Sequence, residues 1–536
     1  MKILLNVNEG KTVKELLEKK NNVSFRRVKD LSRTVTHLED LFDAIYSTSR
    51  ETPVTVIADY DADGVTSGCI VYNLLEQMGF SDISVRLPKR LSEGYGTNIN
   101  MIREIDSGLV LLVDNGISAI EPIRFAKEKG LKVLILDHHL SGGSLPEADV
   151  IVDQHVHKGE DEFENYCAAG LSLKLLQMAT EKLSWDKSLL NSMYPVAMVG
   201  TIADIVDILD ENQYIVAKGL SLLAEAPIGL RTLFEKNKIS LLFATPENVS
   251  FVIAPCLNAP GRLLDDGANT SLNLLLAKTN SEASDLCDAV IAYNQRRKSM
   301  VSEALKELPV PTERAVIVQS IDTHEGIVGI LAGELAGRYN KSAIVLTKAA
   351  DGSLKGSGRA VAPHNLKQLL DLCQNGLISY GGHKAACGLK LTPENFEILR
   401  DTLNLFADAP EDNSTYLYDV EILANEIPSY IQEEARFSPF GEGFRSLTYR
   451  VKLFPSYSTL IGSTVKGLKM VLPKGVLGEA IEALSFNAEI IAFFNEHHKI
   501  KFIDAVGTLS RNIIVGKNGA KHASYQFLIE EYGDIE

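Results

Sequence analysis

The chain has 536 residues, of which 45% are hydrophobic and 23% are charged, and its formal net charge is −16 at pH 7. The length predicts three or four domains, and the lack of a long apolar run or a hydrophobic leader favours a soluble, cytoplasmic protein with no membrane partner. The acidic balance argues mildly against nucleic acid as a partner, although a local basic groove can hold a phosphate backbone while the remaining surface stays acidic.

The first part of the chain predicts helices and then a strand. Residues 13–18 and 38–45 have helical periodicity and form a lead-in without evident chemistry. Residues 54–57 are mostly β-branched and predict a buried strand. Residues 66–78 predict a helix that stops at Gly79, which completes a strand-turn-helix unit.

Three carboxylates follow the first strand at every second position: Asp59, Asp61 and Asp63. Alternation would place them on one side of an extended strand end, where their repulsion calls for a cation, most simply a hard divalent metal. Two alternatives are a solvated acidic loop and an EF-hand. The EF-hand pattern requires a glutamate at its twelfth position, which here is Ile70.

The strand-turn-helix unit repeats along the chain. Apolar runs at 110–113, 133–136 and 150–152 predict further strands, with a helix at 119–129. The polar residues that directly follow these runs are Asp114, Asp137, His138, His139 and Asp153. Four apolar strands alternating with helices predict a parallel, doubly wound sheet, in which ligands bind beyond the carboxyl ends of the strands.

Carboxylate and imidazole together suit manganese, magnesium or zinc. The six cysteines are scattered without any C-x-x-C pair, so reduced packing residues are favoured over a disulfide framework or a structural zinc site. Further along, Asp204 and Asp207 are three residues apart in an otherwise apolar segment, on one face of a predicted helix. The spacing alone does not choose between them.

The second half predicts a linker, another α/β unit and a β domain. Residues 281–308 read as one long helix of roughly 40 Å, and its basic residues at 296–298 fit a solvated surface turn and a DNA contact equally well. Residues 315–319 open a second α/β unit. A polar stretch at 408–414 is typical of a boundary, and the short strands beyond residue 415 favour a small β-barrel.

The sequence resembles the DHH phosphoesterase superfamily and, within it, the RecJ single-strand-specific exonucleases. The matching motifs run in family order over nearly the whole chain. They are DYDADG (59–64), LPKRLSEGYG (87–96), LLVDNGIS (111–118), LDHH (136–139), GTIADIV (200–206), LNAPGRL (257–263), HEGIVGI (324–330), GSGRA (356–360) and GGHKAACG (381–388).

The resemblance implies a site for two Mn²⁺ or Mg²⁺ ions. The implied metal-binding residues are Asp59, Asp61, Asp63, Asp114, His138 and Asp204, with Asp114 between the two ions and Asp59 either a ligand or a residue that orients one. The implied catalytic residues are His139, at the scissile phosphate or its leaving group, and Asp137, which supports the histidines. Two cations about 3.5–4 Å apart suit phosphodiester hydrolysis without a nucleophilic side chain.

The resemblance also implies where a strand is held. Glycine-rich turns let backbone N–H groups approach phosphate oxygens, and an arginine can pair with them bidentately. The implied substrate-binding residues are Ser357, Arg359, Gly382 and His383, together with Arg90, Asn258, Arg262 and His324. The β-barrel resembles the OB fold of longer RecJ proteins, although the family's PFGxGN motif is PFGEGF here, ending at Phe444.

The predicted fold class is α/β. A parallel-sheet DHH domain with a helical lead-in (1–275) is joined by a long helix (276–310) to a smaller DHH-associated α/β domain (311–410), followed by an OB-like β-barrel (415–536). The expected activity is a two-metal 5′→3′ exonuclease that releases 5′-mononucleotides from single-stranded DNA in repair, recombination or replication. The expected partners are single-stranded DNA and a single-strand-binding protein or helicase, with the enzyme itself a monomer. The alternatives are a phosphodiesterase for short oligoribonucleotides or cyclic dinucleotides, and a catalytically silent replication scaffold.

Overall fold

In the structure, a computed structural model, the described residues form four β-sheets with two, five, five and seven strands. It describes residues 2–5, 11–157, 159, 162–408, 415–454, 458–462, 467–475, 478–497, 501–515 and 521–533. Among the described helices, none combines the length and the apolar character needed to cross a bilayer.

The chain begins with β1 (Lys2–Leu5), α1 (Val13–Asn21) and α2 (Leu38–Tyr46). Helix α1 starts at a capping box: the hydroxyl of Thr12 accepts a hydrogen bond from the backbone N–H of Glu15, and the Glu15 carboxylate accepts one from the N–H of Thr12 at 2.8 Å. The predicted lead-in helices are therefore present, and β1 is an additional strand.

The first α/β unit contains a parallel sheet whose strands are ordered β3-β2-β4-β5-β6. Its elements are β2 (Val54–Ala58), α3 (Ala62–Gln77), β3 (Ile83–Arg86), α4 (Ile99–Arg103), β4 (Leu109–Val113), α5 (Ile120–Glu128), β5 (Lys132–Leu136) and β6 (Val150–Val152). The predicted parallel sheet is confirmed, with β3 as an additional edge strand. The chain leaves β2 for β3 on one side and returns to β4 on the other, which makes a crevice at the carboxyl ends of β2 and β4.

A layer of helices follows and ends in the linking helix. These helices are α6 (Ala168–Lys182), α7 (Ser188–Ala203), α8 (Asp210–Ser221), α9 (Ile228–Lys236), α10 (Pro246–Asn248), α11 (Ala254–Leu263), α12 (Ala268–Leu276) and α13 (Asn280–Glu307). Helix α13 has 28 residues and is capped by the hydroxyl of Thr279, which accepts a hydrogen bond from the N–H of Glu282. The predicted long helix is confirmed.

The second α/β unit has a mixed sheet ordered β10-β11-β9-β8-β7, in which only β7 and β8 are parallel. Its elements are β7 (Val316–Ser320), α14 (Val328–Tyr339), β8 (Ser342–Lys348), β9 (Leu354–Arg359), α15 (Leu366–Leu372), β10 (Leu377–Gly382), β11 (Ala386–Leu391) and α16 (Phe396–Phe406). The predicted boundary at 408–414 lies almost wholly outside the described residues.

The C-terminal sheet is ordered β13-β14-β18-β19-β17-β16-β15. The elements of this region are β12 (Thr415–Tyr418), β13 (Val420–Glu421), α17 (Ile427–Glu434), β14 (Tyr449–Leu453), β15 (Ser458–Ile461), β16 (Gly467–Val471), β17 (Ile481–Ser485), α18 (Ala488–Glu496), β18 (Ile503–Val515) and β19 (Lys521–Tyr532). The predicted C-terminal β domain is confirmed as a seven-stranded sheet. Its closure into a barrel stays a prediction.

The start of the chain packs against this C-terminal domain, which the sequence did not indicate. Strand β1 pairs in parallel with β12. The apolar face of α1, including Leu16 and Leu17, shares one hydrophobic core with Phe444. The Lys20 ammonium lies 2.8 Å from the Asp419 carboxylate. The lead-in therefore belongs in part to the C-terminal core, because helical periodicity shows which face is buried but not which domain buries it.

Candidate metal and phosphate site

The polar residues that follow β2, β4 and β5 meet at one edge of the parallel sheet. Asp114 directly follows β4 and takes a left-handed conformation (φ 62°) as the chain turns away from the sheet. His138 follows β5, and its Nε2 lies 3.2 Å from Oδ1 of Asp114. Asp59, Asp114 and Asp137 are all nearly inaccessible to solvent. The predicted convergence of strand ends is therefore present.

The alternation predicted that the three aspartates after β2 lie on one side of an extended strand end. This prediction is wrong. Helix α3 starts at Ala62, so Asp61 is its N-cap residue and Asp63 lies in its first turn. Oδ1 of Asp61 accepts hydrogen bonds from the N–H groups of Asp63 and Gly64 at 3.0 and 3.1 Å. The helix begins earlier than predicted because this cap satisfies its first amides.

The oxygens of Asp63 face a different helix. They accept hydrogen bonds from the backbone N–H groups of Ala168 and Ala169 at 2.7 and 2.9 Å, at the start of α6. The positive end of that helix stabilises the carboxylate. Gly200 on α7 makes room for it, because a Cβ there would lie 2.6 Å from Oδ1 of Asp63.

Asp204 and Asp207, which the sequence placed on one helical face, separate in the structure. Helix α7 ends at Ala203, so Asp204 lies at its C-terminal end and Asp207 lies in the following loop. Oδ2 of Asp204 is 3.8 Å from Nε2 of His138, and Oδ2 of Asp63 is 3.7 Å from the same nitrogen. Asp204 therefore lies beside His138, and its assignment as a metal-binding residue remains a prediction.

The ligand-type atoms fall into three overlapping groups, each with its atoms within 4.8 Å of one another. The groups are Asp59, Asp61 and Asp114; Asp63, His138 and Asp204; and Asp114, His138 and His139. Asp114 and His138 each belong to two groups. The arrangement has the donor set and the adjacency that two neighbouring divalent cations require.

Electrostatics favour cations at this position. Burial and the charge of Asp61 raise the pKa of Asp63 to about 6, and burial and the charge of Asp63 raise that of Asp204 to about 8. Burial also raises the pKa values of Asp59 and Asp114 well above their ordinary range. Oδ1 of Asp59 is buried and accepts no hydrogen bond from any described residue. A divalent cation would satisfy that oxygen and offset the repulsion, so these residues fit the implied metals.

The two histidines have opposite electrostatic environments. Burial and the charge of His139 lower the pKa of His138 to about 3, so His138 is neutral and has a free lone pair for a metal. Burial also disfavours charge on His139, but the hydrogen bond to Asp137 outweighs it and raises the pKa of His139 to about 9. His139 is therefore a cation at neutral pH and suits contact with a phosphate.

Asp137 orients the histidine pair through hydrogen bonds to both residues. Its Oδ1 lies 2.8 Å from Nδ1 of His139 and accepts a hydrogen bond from the backbone N–H of His138, while Oδ2 accepts one from Ile117. The other nitrogen of His139 faces Tyr95, whose hydroxyl is 2.8 Å away. Sequence reasoning missed Tyr95, although it lies within the LPKRLSEGYG motif, because no strand end or spacing pointed to it.

Arginines face this acidic edge. The guanidinium of Arg90 lies 4.8 Å from the ring centre of Tyr60, which neighbours Asp59 and Asp61 in the chain. Burial and the charges of Arg90 and Arg297 lower the pKa of Arg262 to about 10, and Arg359 contributes in the same direction. The other three guanidiniums of this arginine cluster thus lie near enough to Arg262 to repel it, and an anion would relieve that repulsion.

The basic residues at 296–298, which the sequence left undecided, are not equivalent. Arg296 and Lys298 are exposed, whereas Arg297 is half-buried. Nε and Nη2 of Arg297 both donate to Oδ1 of Asn294, at 3.0 and 2.9 Å. Of these three residues, Arg297 is the one whose charge contributes to the lowered pKa of Arg262.

The predicted residues of the second α/β unit cluster on β9 and the adjacent hairpin. Arg359 donates from Nη1 to the hydroxyl of Ser357 at 3.2 Å. Arg359 pairs across the strands with Ala386, whose carbonyl accepts a hydrogen bond from the N–H of His383. Gly382 has a φ of 131°, which favours glycine. Ser357, Arg359, Gly382 and His383 therefore form one local surface.

Asn258 and His324 have structural contacts in addition to their predicted roles. Oδ1 of Asn258 accepts a hydrogen bond from the N–H of Ala62 at the start of α3. Nδ1 of His324 accepts one from the N–H of Gly326, which leaves Nε2 as its remaining ring nitrogen. A Cβ at Gly326 would lie 1.8 Å from the carbonyl oxygen of Arg262. The two α/β units therefore touch beside the arginine cluster.

Two family descriptions match these two units. The description "DHH family, N-terminal domain" matches residues 53–201, and "DHHA1 domain" matches residues 313–409. This chain contains a DHH domain and a DHHA1 domain. The DHH match includes Asp59 to His139 and stops just before Asp204, and the DHHA1 match includes Ser357, Arg359 and His383. The boundaries predicted from the sequence remain predictions.

Curated relatives of this DHH protein are named single-stranded-DNA-specific exonuclease RecJ. The Bacillus subtilis protein is 32% identical over 409 residues, which are 73% of this chain and 51% of the relative. The Haemophilus influenzae protein is 28% identical over 469 residues, which are 81% of this chain and 80% of the relative. The chain thus spans about half the length of the first relative and most of the second.

Solved structures have the same fold. RecJ from Thermus thermophilus in complex with Mn²⁺ superposes with a TM-score of 0.80 at 23% identity, covering 98% of this chain and 76% of that one. An exonuclease RecJ bound to manganese superposes with a TM-score of 0.62 at 28% identity, covering 71% of this chain and 96% of that one. The DHH domain, the DHHA1 domain and the C-terminal sheet therefore share one known architecture.

Proposed function

We propose that this protein is an exonuclease that hydrolyses single-stranded DNA from its 5′ end and releases 5′-mononucleotides. The observation that carries the proposal is the adjacency of Asp114 and His138, which connect the three groups of ligand-type atoms at the sheet edge. Support also comes from relatives named single-stranded-DNA-specific exonuclease RecJ and from RecJ structures described with Mn²⁺ and with Mg²⁺.

The carboxylates and His138 would hold two divalent cations, Mn²⁺ or Mg²⁺. When bound, such ions supply Lewis acidity and lower the pKa of water, so that hydrolysis needs no nucleophilic side chain. The remaining contributions to catalysis come from the protein's own residues. Asp137 fixes the ring of His139, and the positive charge of His139 stabilises the phosphate oxygen on which negative charge grows.

The arginine cluster is the basis for proposing where the 5′ end of the strand is held. Arg90, Arg262 and Arg359 provide positive charge opposite the acidic edge, which suits the terminal phosphate of a strand. Ser357 and His383 lie on the same DHHA1 surface and would contact the next backbone groups. This placement would orient the first phosphodiester against His139 and define the 5′ end as the one that is cut.

The oligomeric state, the location and the protein partners are part of the same proposal. A monomeric protein in the cytoplasm, working with a single-strand-binding protein or a helicase in DNA repair, recombination or replication, fits such an activity. The C-terminal sheet would extend the track for the strand, as OB-like domains do through stacking and basic grooves.

The test is a digestion series with Mn²⁺ on single-stranded DNA that is blocked at the 5′ or at the 3′ end, and on RNA of the same sequence. We expect 5′-mononucleotides only from DNA with a free 5′ end, and loss of activity in Asp114→Asn. The matched control is Asp106→Asn, an exposed aspartate near the amino end of the same strand, which should leave activity unchanged.

The series also separates the alternatives. Preferential hydrolysis of short oligoribonucleotides or cyclic dinucleotides would replace the proposal with the phosphodiesterase alternative. Metal binding without turnover of any of these substrates would favour the scaffold. Equal activity in wild type and Asp114→Asn would contradict the assignment of Asp114 to the metal site.

A further inference from the structure

The loop that carries Asp204 is held by the C-terminal domain. After α7 ends, the chain passes through Ile205 and Asp207 before α8 begins at Asp210. The facing segment of the C-terminal domain is residues 437–443, which includes most of the PFGEGF motif. The backbone N–H of Ile208 donates a hydrogen bond to the carbonyl of Glu442 at 2.8 Å.

Gln213 adds two further hydrogen bonds across this contact. Its Nε2 donates to the carbonyl of Phe437 at 2.9 Å and to the carbonyl of Pro439 at 3.0 Å. Gln213 is buried on the first turn of α8, which directly follows the Asp204 loop. The C-terminal segment is therefore bonded to the loop and to the helix behind it.

Two glycines make the close approach possible. Gly443 has a φ of 68°, and a Cβ there would lie 2.3 Å from Oδ1 of Asp207. A Cβ at Gly441 would lie 2.6 Å from Cγ1 of Ile208. A side chain at either position would force Asp207 or Ile208 to shift, because both contacts are far inside van der Waals distance.

The loop itself is in a conformation that needs support. Ile205 directly follows Asp204 and has a φ of 61°, in the left-handed region that a β-branched residue rarely adopts. Its side chain is 68% exposed, so packing of that side chain does not compensate for the strain. Such a conformation persists when surrounding contacts determine it. On the described residues, those contacts include the ones from Glu442, Gly443 and Gln213.

We propose that Gly443, Gly441 and Gln213 are positioning residues for Asp204, through which the C-terminal domain sets the affinity of the group Asp63, His138 and Asp204 for its cation. The group Asp59, Asp61 and Asp114 has no member in this loop, so its geometry does not depend on these contacts. The inference rests on the proposed function in one respect, that these groups bind divalent cations.

The experiment measures Mn²⁺ binding to the full chain, without DNA, by titration followed with electron paramagnetic resonance. In Gly443→Ala we expect one of two binding events to weaken by about 10-fold or more, while the other is unchanged. The matched control is Gly478→Ala, because Gly478 is in the same domain, has a φ of 84° and, among the described residues other than its chain neighbours, has no atom within 4 Å of its Cβ position. The Gly478→Ala variant has an alanine at a positive φ but no clash with a neighbouring residue, so its Mn²⁺ binding should match wild type.

Gln213→Met is a second variant, which removes the two hydrogen bonds without adding a clash. It should weaken the same event, and added Mn²⁺ should restore hydrolysis in both variants. Wild-type affinities in a folded Gln213→Met or Gly443→Ala protein, or equal weakening of both events, would overturn the inference and leave the proposed function intact. Absence of Mn²⁺ binding in wild type would instead overturn both.

Discussion

The Tyr95 hydroxyl lies 2.8 Å from Nε2 of His139, whose Nδ1 lies 2.8 Å from the Asp137 carboxylate. The imidazole is thus held between a buried anion and a hydroxyl group at the rim of the cleft, where Tyr95 is 57% exposed. Each ring nitrogen thus has a hydrogen-bond partner, and the two partners together favour this orientation of the ring. This arrangement gives His139 a positioning partner that can be removed without touching a metal-binding residue.

Tyr95→Phe removes that hydroxyl and keeps the ring. We expect kcat on single-stranded DNA to fall about 3- to 10-fold, which is the value of one ordinary hydrogen bond, because His139 then has more orientational freedom. Mn²⁺ affinity should stay at the wild-type value. Steady-state kinetics and a Mn²⁺ titration check both parts, and an unchanged kcat would show that Asp137 alone orients the ring.

The pair His139 and Asp137 predicts a pH dependence of stability. Burial opposes a charge on His139, but the hydrogen bond to Asp137 outweighs it and raises the pKa of His139 to about 9. A raised histidine pKa contributes stability that is fully present below about pH 6.5 and is lost as the pH rises through about 9. We therefore expect Asp137→Asn to destabilise the metal-free protein strongly at pH 6 and weakly at pH 10.

Thermal unfolding at several pH values measures this difference, and NMR titration of His139 should show its pKa falling in Asp137→Asn. A stability loss that does not change between pH 6 and pH 10 would mean that the variant acts through packing and not through the ion pair.

Asp204 predicts the opposite behaviour. Burial and the charges of Asp63 and Asp61 raise its pKa from 3.8 to about 8. The destabilising contribution of a carboxyl with a raised pKa is absent below the ordinary value, grows as the pH rises toward 8 and is complete above it. We expect Asp204→Asn to raise the free energy of unfolding of the metal-free protein at pH 9 by about 1 kcal/mol or more, and by less at pH 6.

The same variant should lose most of the stabilisation that Mn²⁺ gives wild type, because the cation would no longer find its carboxylate. Unfolding scans with and without Mn²⁺ at both pH values provide the measurement. If Asp204→Asn lowered the free energy of unfolding of the metal-free protein at pH 9, the result would contradict the view that Asp63 and Asp61 repel this carboxylate.

Arg262→Gln tests the arginine cluster. A hydrogen bond to a charged group is worth about 1.5–3 kcal/mol, so we expect KM for 5′-phosphorylated single strands to rise about 10- to 100-fold, with a smaller rise for strands that end in a 5′-hydroxyl. Arg296→Gln is the control, because Arg296 is exposed on α13. Equal effects on both kinds of end would assign Arg262 to the backbone and not to the terminal phosphate.

Much of the acidic edge could be predicted from sequence because its signals are local. A buried strand that ends in Asp114, or in Asp137, His138 and His139, points to the carboxyl edge of a parallel sheet, and that edge is shared by neighbouring strands. The same reasoning failed at Asp63, since alternation assumes an extended backbone and the cap formed by Asp61 starts a helix there. Local spacing also could not separate Asp204 from Asp207, because it does not show that α7 ends at Ala203, between the predicted helical face and Asp207.

Contacts between residues that are far apart in the chain could not be predicted from the sequence pattern. Tyr95 reaches His139 across 44 positions, and no periodicity marks it. Arg297 has the same charge as its neighbours, but only burial against Asn294 distinguishes it from Arg296 and Lys298. The pairing of β1 with β12 is set by domain packing, which composition and periodicity do not encode.

The shared core of α1 and the C-terminal sheet has a consequence for how the protein is made. Lys20 is synthesised 399 positions before its partner Asp419, so the apolar face of α1 stays without its final partner until the ribosome has translated most of the chain. We expect chaperone dependence during translation, and a C-terminal fragment that begins after α1 should be insoluble unless residues 2–21 are supplied as a separate peptide.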